Sequence, residues 1–138
     1  MKGFQGQVFL ADIFSVDAGL LASEDVIKLL LLRCVEAIGM TPVLTSYQSV
    51  KFPLPIGGVF RGDFGISAGM LLVESHIYIH TWPEKGYARF EVSSCRRFSD
   101  VVDRLVEVIR TILGGSIVYE IVDWRGGNGF KEGGDLQV

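Results

Sequence analysis

The residues able to do chemistry are concentrated in one run, Glu74-Ser75-His76-Ile77-Tyr78-Ile79-His80-Thr81-Trp82-Pro83-Glu84, which holds both histidines of the chain. A serine that breaks an apolar strand, with histidines close by, has a nucleophilic hydroxyl and a base at hand. A second candidate stands twenty residues after Ser75: Cys95, on a partly polar strand face, where a thiol can give up a proton. The spacing His76-x-x-x-His80 puts both rings on one strand face, as metal ligands need. There is no third ligand and no Cys-x-x-Cys, so no metal is expected. Cys34 falls in an apolar helical stripe and reads as a small buried hydrophobe. The Gly-rich stretch Arg125 to Gly134 lacks the G-x-x-x-x-G-K-[ST] pattern and reads as a tail.

The elements that must position these residues follow from periodicity. Gln7 to Phe14 reads as a strand, and Asp17 to Leu21 leads into a helix. Ser23 is its N-cap, Glu24 and Asp25 suit its positive end, and Gly39 stops it. Val26, Ile27, Leu30, Leu31, Cys34, Val35 and Ile38 form its apolar face. Pro42 to Phe52 reads as a strand, Pro53 to Asp63 as a Pro/Gly loop, and Ile66 to Val73 as a buried strand. From His76 to Trp82 alternation is strict: His76, Tyr78, His80 and Trp82 point one way and Ile77, Ile79 and Thr81 the other. After a turn at 83–86, Tyr87 to Cys95 is a strand. Ser99 caps a helix to Leu113, Gly114-Gly115 stops it, and Ile117 to Trp124 is the last strand.

The order β-α-β-β-β-β-α-β predicts an α+β fold. It is a two-layer α/β sandwich, with a mostly antiparallel sheet and two helices on one face. The other face, carrying His76, Tyr78, His80 and Trp82, or else Arg89, Glu91 and Cys95, is left for a partner. A homodimer burying sheet on sheet is the economical expectation. With 138 residues the chain makes a single domain, 1–138, ending in a Gly-rich tail at 125–138. Hydrophobic residues at 49% against 21% charged exclude a disordered chain. A net charge of −3 offers no basic patch for nucleic acid. No apolar run has the length of a membrane span, and the start lacks a signal peptide's apolar core, so a soluble cytoplasmic protein is expected.

The run Glu74 to Glu84 resembles the E-S-H-x-x-I-H-T-[WF]-P-E motif of the S-adenosylmethionine decarboxylase proenzyme family of bacteria and archaea, followed by a strand ending in Ser94-Cys95. Upstream, Phe64-Gly65-Ile66-Ser67-Ala68-Gly69 resembles the family's G-[VI]-[ST]-G segment, and Phe9 to Phe14 its first strand. The likeness runs over about residues 7–124. It implies autocatalytic cleavage between Glu74 and Ser75, giving a β chain 1–74 and an α chain 75–138. The α chain would begin with a covalent pyruvoyl group made from Ser75, the cofactor. Its ketone would take the amine of a small-molecule substrate and accept the electrons left as CO₂ departs. The resemblance makes His80 the processing base, with Ser67 supporting it by hydrogen bonding, and Cys95 the proton donor. Trp82 and Glu84 would hold the adenosyl group, with a second aromatic from Phe60 or Phe64.

Several positions depart from the family's pattern. Gln7-Val8-Phe9 stands where a histidine is common, Ser15-Val16-Asp17 where a cysteine is, and Gly57 to Gly65 differs in length. Relatives with this motif also decarboxylate ornithine or arginine, whose distal cation needs a carboxylate; Asp12, Asp63 and Glu91 are the candidates. A non-catalytic, unprocessed homologue acting as a binding partner is the reading from another class. Intact Ser75, His80 and Cys95 weigh against it.

Overall fold

A computed structural model describes residues 5–52 and 64–124. Its elements are β1 (Gln7–Phe14), α1 (Ala18–Leu21), α2 (Glu24–Ala37), β2 (Gln48–Phe52), β3 (Gly65–Leu72), β4 (Ser75–Trp82), β5 (Tyr87–Ser94), α3 (Val102–Leu113) and β6 (Ser116–Asp123). The strands form one sheet in the order β2-β3-β4-β5-β1-β6, and every neighbouring pair is antiparallel.

The sequence alternation decides which face is covered. Phe9, Ala11 and Ile13 of β1, Ile66, Ala68 and Met70 of β3, Ile77 and Ile79 of β4, and Ala88, Phe90 and Val92 of β5 are buried. Against them lie Ile27, Leu30, Leu31, Cys34 and Val35 of α2 and Leu105, Val106 and Ile109 of α3. Each large side chain fully withdrawn from water contributes about 1.5–3 kcal/mol before the entropy of ordering is counted. Phe9 and Phe90 meet edge to face at 5.9 Å across β1 and β5. The expected α+β sandwich is therefore present, with the helices on one face.

Local details differ from the sequence reading at three places. A third, four-residue helix, α1, precedes α2. Thr81 anchors it: its buried hydroxyl donates to the Leu21 carbonyl at 2.8 Å and accepts the Ile66 N–H at 3.0 Å. Pro42 to Phe52 is not one strand. Pro42 makes an isolated bridge to Leu72, Leu44–Ser46 is a 3₁₀ turn, and only Gln48–Phe52 pairs. The Ser46 hydroxyl donates to the Val43 carbonyl at 2.6 Å and accepts the Leu71 N–H at 2.8 Å, so a side chain satisfies the β3 edge there. Ser99 is not the cap of α3. Residues Ser99–Val101 form a 3₁₀ turn, and the buried Gln7 Oε1 accepts the N–H groups of Phe98 (2.9 Å) and Ser99 (3.1 Å). Ser23 does cap α2, accepting the Val26 N–H at 3.2 Å.

Candidate active site

The β4–β5 register, His76↔Ser93, Tyr78↔Glu91, His80↔Arg89 and Trp82↔Tyr87, puts both groups of polar residues on the same open sheet face. They fall into two clusters.

The first surrounds Ser75. Residues 73 and 74 turn the chain from β3 into β4, and Ser75 opens β4. The Glu74 carboxylate is held from the α2 side. It accepts the Thr41 N–H at 2.9 Å and the Thr41 hydroxyl at 3.2 Å, and the Arg96 guanidinium lies 3.7 Å away. The Glu74 carbonyl, next to the peptide nitrogen of Ser75, accepts the backbone N–H of Cys95 at 2.9 Å. The Ser75 hydroxyl lies 3.2 Å from His76 Nδ1, and His76 Nε2 lies 2.8 Å from the Glu91 carboxylate. The Cys95 side chain is exposed, just past the end of β5. Cys34 is buried in the core, where burial pushes its thiol far above its usual value and leaves it inert.

The second cluster lies toward the other end of β4. Ser67 and His80 are register partners on β3 and β4, and the Ser67 hydroxyl is 2.9 Å from His80 Nδ1. They line an open groove of about 220 Å³ with Gln48, Val50, Gly69 and Tyr78. Beyond them Trp82 stacks on Tyr87 at 5.3 Å, Tyr87 stacks on Phe14 at 5.4 Å, and the Phe52 ring is 6.0 Å from Trp82. Phe64 is exposed and shares a smaller cleft with Phe52; Phe60 and Asp63 lie outside the described residues. Glu84 sits exposed in the 3₁₀ turn after Trp82.

Sequence reasoning missed Tyr87 and Phe52 as neighbours of Trp82. A hairpin register counted back from the turn at 83–86 would have found Tyr87. Of the carboxylates weighed for a distal cation, Asp12 accepts from the Tyr87 hydroxyl (2.6 Å) and from Arg89 (3.0 Å), and Glu91 is held by His76. The Tyr87 hydrogen bond foremost, then that of Arg89, holds the Asp12 carboxyl below the usual range, and the same bond raises Tyr87. The chain does not bring His80 to Ser75. They are five residues apart on one strand, about 16 Å at the usual rise, and the His80 ring is bonded to Ser67.

The family description S-adenosylmethionine decarboxylase matches residues 7–126. Among curated proteins, an S-adenosylmethionine decarboxylase proenzyme of Picrophilus torridus is 28% identical, covering 82% of this chain and 78% of the relative. An arginine decarboxylase proenzyme of Caldivirga maquilingensis is 30% identical, covering 88% and 85%. The crystal structure of the adenosylmethionine decarboxylase from Aquifex aeolicus superposes with a TM-score of 0.70 at 29% identity, over 99% of this chain and 100% of that one. The fold and the match together define a decarboxylase of α+β type. This chain belongs to the S-adenosylmethionine decarboxylase family. Among the described residues no helix is long and apolar enough to cross a membrane.

Proposed function

We propose that this chain is a proenzyme. It cuts its own backbone between Glu74 and Ser75, then decarboxylates S-adenosylmethionine to supply the aminopropyl donor for spermidine biosynthesis. The observation that carries this reading is the state of the Glu74–Ser75 peptide. Its carbonyl accepts the Cys95 N–H at 2.9 Å, its acyl residue is clamped by Thr41, and its serine hydroxyl has an imidazole nitrogen 3.2 Å away. An N–H aimed at that oxygen stabilises the negative charge it gains when the hydroxyl attacks. Residue 75 at the head of a strand, beside an exposed thiol, also fits a pyruvoyl group made in place. That group supplies an electron sink for the departing carboxylate. Cys95 then returns the proton to the product carbanion.

His80 with Ser67 serves the later elimination step of processing, acting on a second copy of the chain. A two-fold axis crossing the open face near Tyr78 sets the Ser67–His80 end of one copy against the Ser75–Cys95 end of the other. The active form is thus a homodimer through the sheet, of αβ units made from residues 1–74 and 75–138, one domain each, with 125–138 as a tail. Two free thiols fit the reducing cytoplasm.

Trp82 offers the adenine a stacking face, with Phe64 or Phe60 as the opposing ring and Glu84 accepting from the ribose hydroxyls. Ornithine or arginine is the second reading, and the Caldivirga relative favours keeping it. The aromatic ladder, and the engagement of Asp12 and Glu91 by Arg89 and His76, favour an adenosyl substrate over a distal cation. Release of labelled CO₂ from carboxyl-labelled S-adenosylmethionine, ornithine and arginine decides between them. Turnover of S-adenosylmethionine alone is expected. Turnover of an amino acid instead overturns the substrate, and no turnover of any, with the chain uncut, returns the binding-partner reading.

A further inference from the structure

We infer that His76, held by Glu91, is the base that takes the proton from the Ser75 hydroxyl in the first step of self-cleavage. The inference rests on the reading that the chain cuts itself before Ser75, and adds to it the group that starts the reaction.

Three observations converge. His76 Nδ1 is 3.2 Å from the Ser75 hydroxyl. His76 Nε2 is 2.8 Å from a Glu91 carboxylate oxygen, and a carboxylate only accepts, so the ring proton sits on Nε2 and the Nδ1 lone pair faces the serine. The other histidine, His80, is on the far side of β4's midpoint and bonded to Ser67. A nucleophilic hydroxyl, an imidazole in hydrogen-bond reach and a carboxylate orienting that imidazole make the arrangement by which serine nucleophiles are activated. Here it is built from adjacent residues, because Ser75 lies at the turn where β4 begins.

The step balances. The Ser75 oxygen bonds to the Glu74 carbonyl carbon as its proton passes to His76 Nδ1. The carbonyl oxygen takes up negative charge against the Cys95 N–H. The C–N bond then breaks, the ring returns its proton to the Ser75 nitrogen, and an ester and a free amine replace the peptide. No oxidant or co-reactant is needed. His76 is catalytic in this step, and Glu91 is a positioning residue acting through it. The reading divides the labour of the two histidines: His76 makes the ester, and His80 serves its elimination.

The test follows cleavage of the freshly translated full chain by denaturing mass measurement. His76→Ala and His76→Gln are expected to slow cleavage by about 10²–10⁴-fold, the usual worth of a general base. Their melting temperatures should stay within about 5 °C of wild type. Two readouts separate chemistry from packing of the ring. Added imidazole should restore cleavage in His76→Ala and speed it in Glu91→Gln, but not in Ser75→Ala. Hydroxylamine, which opens esters and not amides, should leave His76→Ala uncut. Wild-type cleavage rates in both His76 variants, or cutting of His76→Ala by hydroxylamine, overturn the inference while leaving the self-cleavage reading in place. A wild-type chain that never cuts overturns that reading, and the inference with it.

Discussion

Cys95 meets the site with two different atoms. Its backbone N–H holds the Glu74 carbonyl, while its exposed thiol is the proposed proton donor. Substitution removes only the second. Cys95→Ala is therefore expected to cut itself normally and to lose about 10²-fold or more in decarboxylation; full turnover in a CO₂-release assay places the donor elsewhere. Asp12 makes a separate prediction. Tyr87 and Arg89 lower its folded value below that of the unfolded chain. Its contribution to stability is thus complete above about pH 4 and fades as pH falls through the lowered value. Asp12→Asn should flatten the acid limb of a denaturation series below about pH 4; an unchanged limb shows that the pair adds nothing. At this scale the motif residues were legible by type and spacing. The pairings His76–Glu91 and Trp82–Tyr87 were not, because each joins residues on different strands, and register is decided by the turn at 83–86 rather than by either strand alone.

Elements carry the site through hydrogen bonds that periodicity does not display. Thr81, inside the motif, does no chemistry: it ties α1 to β3 through two buried bonds, 2.8 and 3.0 Å long. Thr81→Val keeps the shape and leaves a carbonyl and an N–H unpaired, each costing about 1–3 kcal/mol. Urea unfolding should show a loss of about 2 kcal/mol or more, and a loss below about 0.5 kcal/mol contradicts the anchoring role. Alternation, strict in β4 and looser in the apolar β1, made β1, β4 and β5 readable almost to the residue, since one face of each is buried. The stretch before β2 misled because Val, Thr and Tyr suit strands, while Ser46 can serve the β3 edge from a 3₁₀ turn. The start of α3 misled because a 3₁₀ turn precedes it, and the N–H groups of Phe98 and Ser99 at that turn bond to Gln7, more than ninety positions away in sequence.

Among the described residues one sheet face is covered by helices and the other is open, and the proposed chemistry needs groups at both ends of the open one. Ser75 and His80 do not meet within a chain, so on the proposed reading processing needs two copies. Ser75→Ala and His80→Ala, each inactive alone, should regain activity when coexpressed, because a mixed dimer contains one intact site. Absence of any recovery in isolated mixed dimers contradicts assembly across the sheet. The central claim, that this family member makes its own reactive group from Ser75, has the most direct test in the intact mass of the purified protein under denaturing conditions, before and after borohydride reduction with S-adenosylmethionine. The account predicts two chains, 1–74 and 75–138, the second starting with a pyruvoyl group in place of serine and gaining the mass of a reduced amine adduct. A single chain of 138 residues that gains no mass contradicts it.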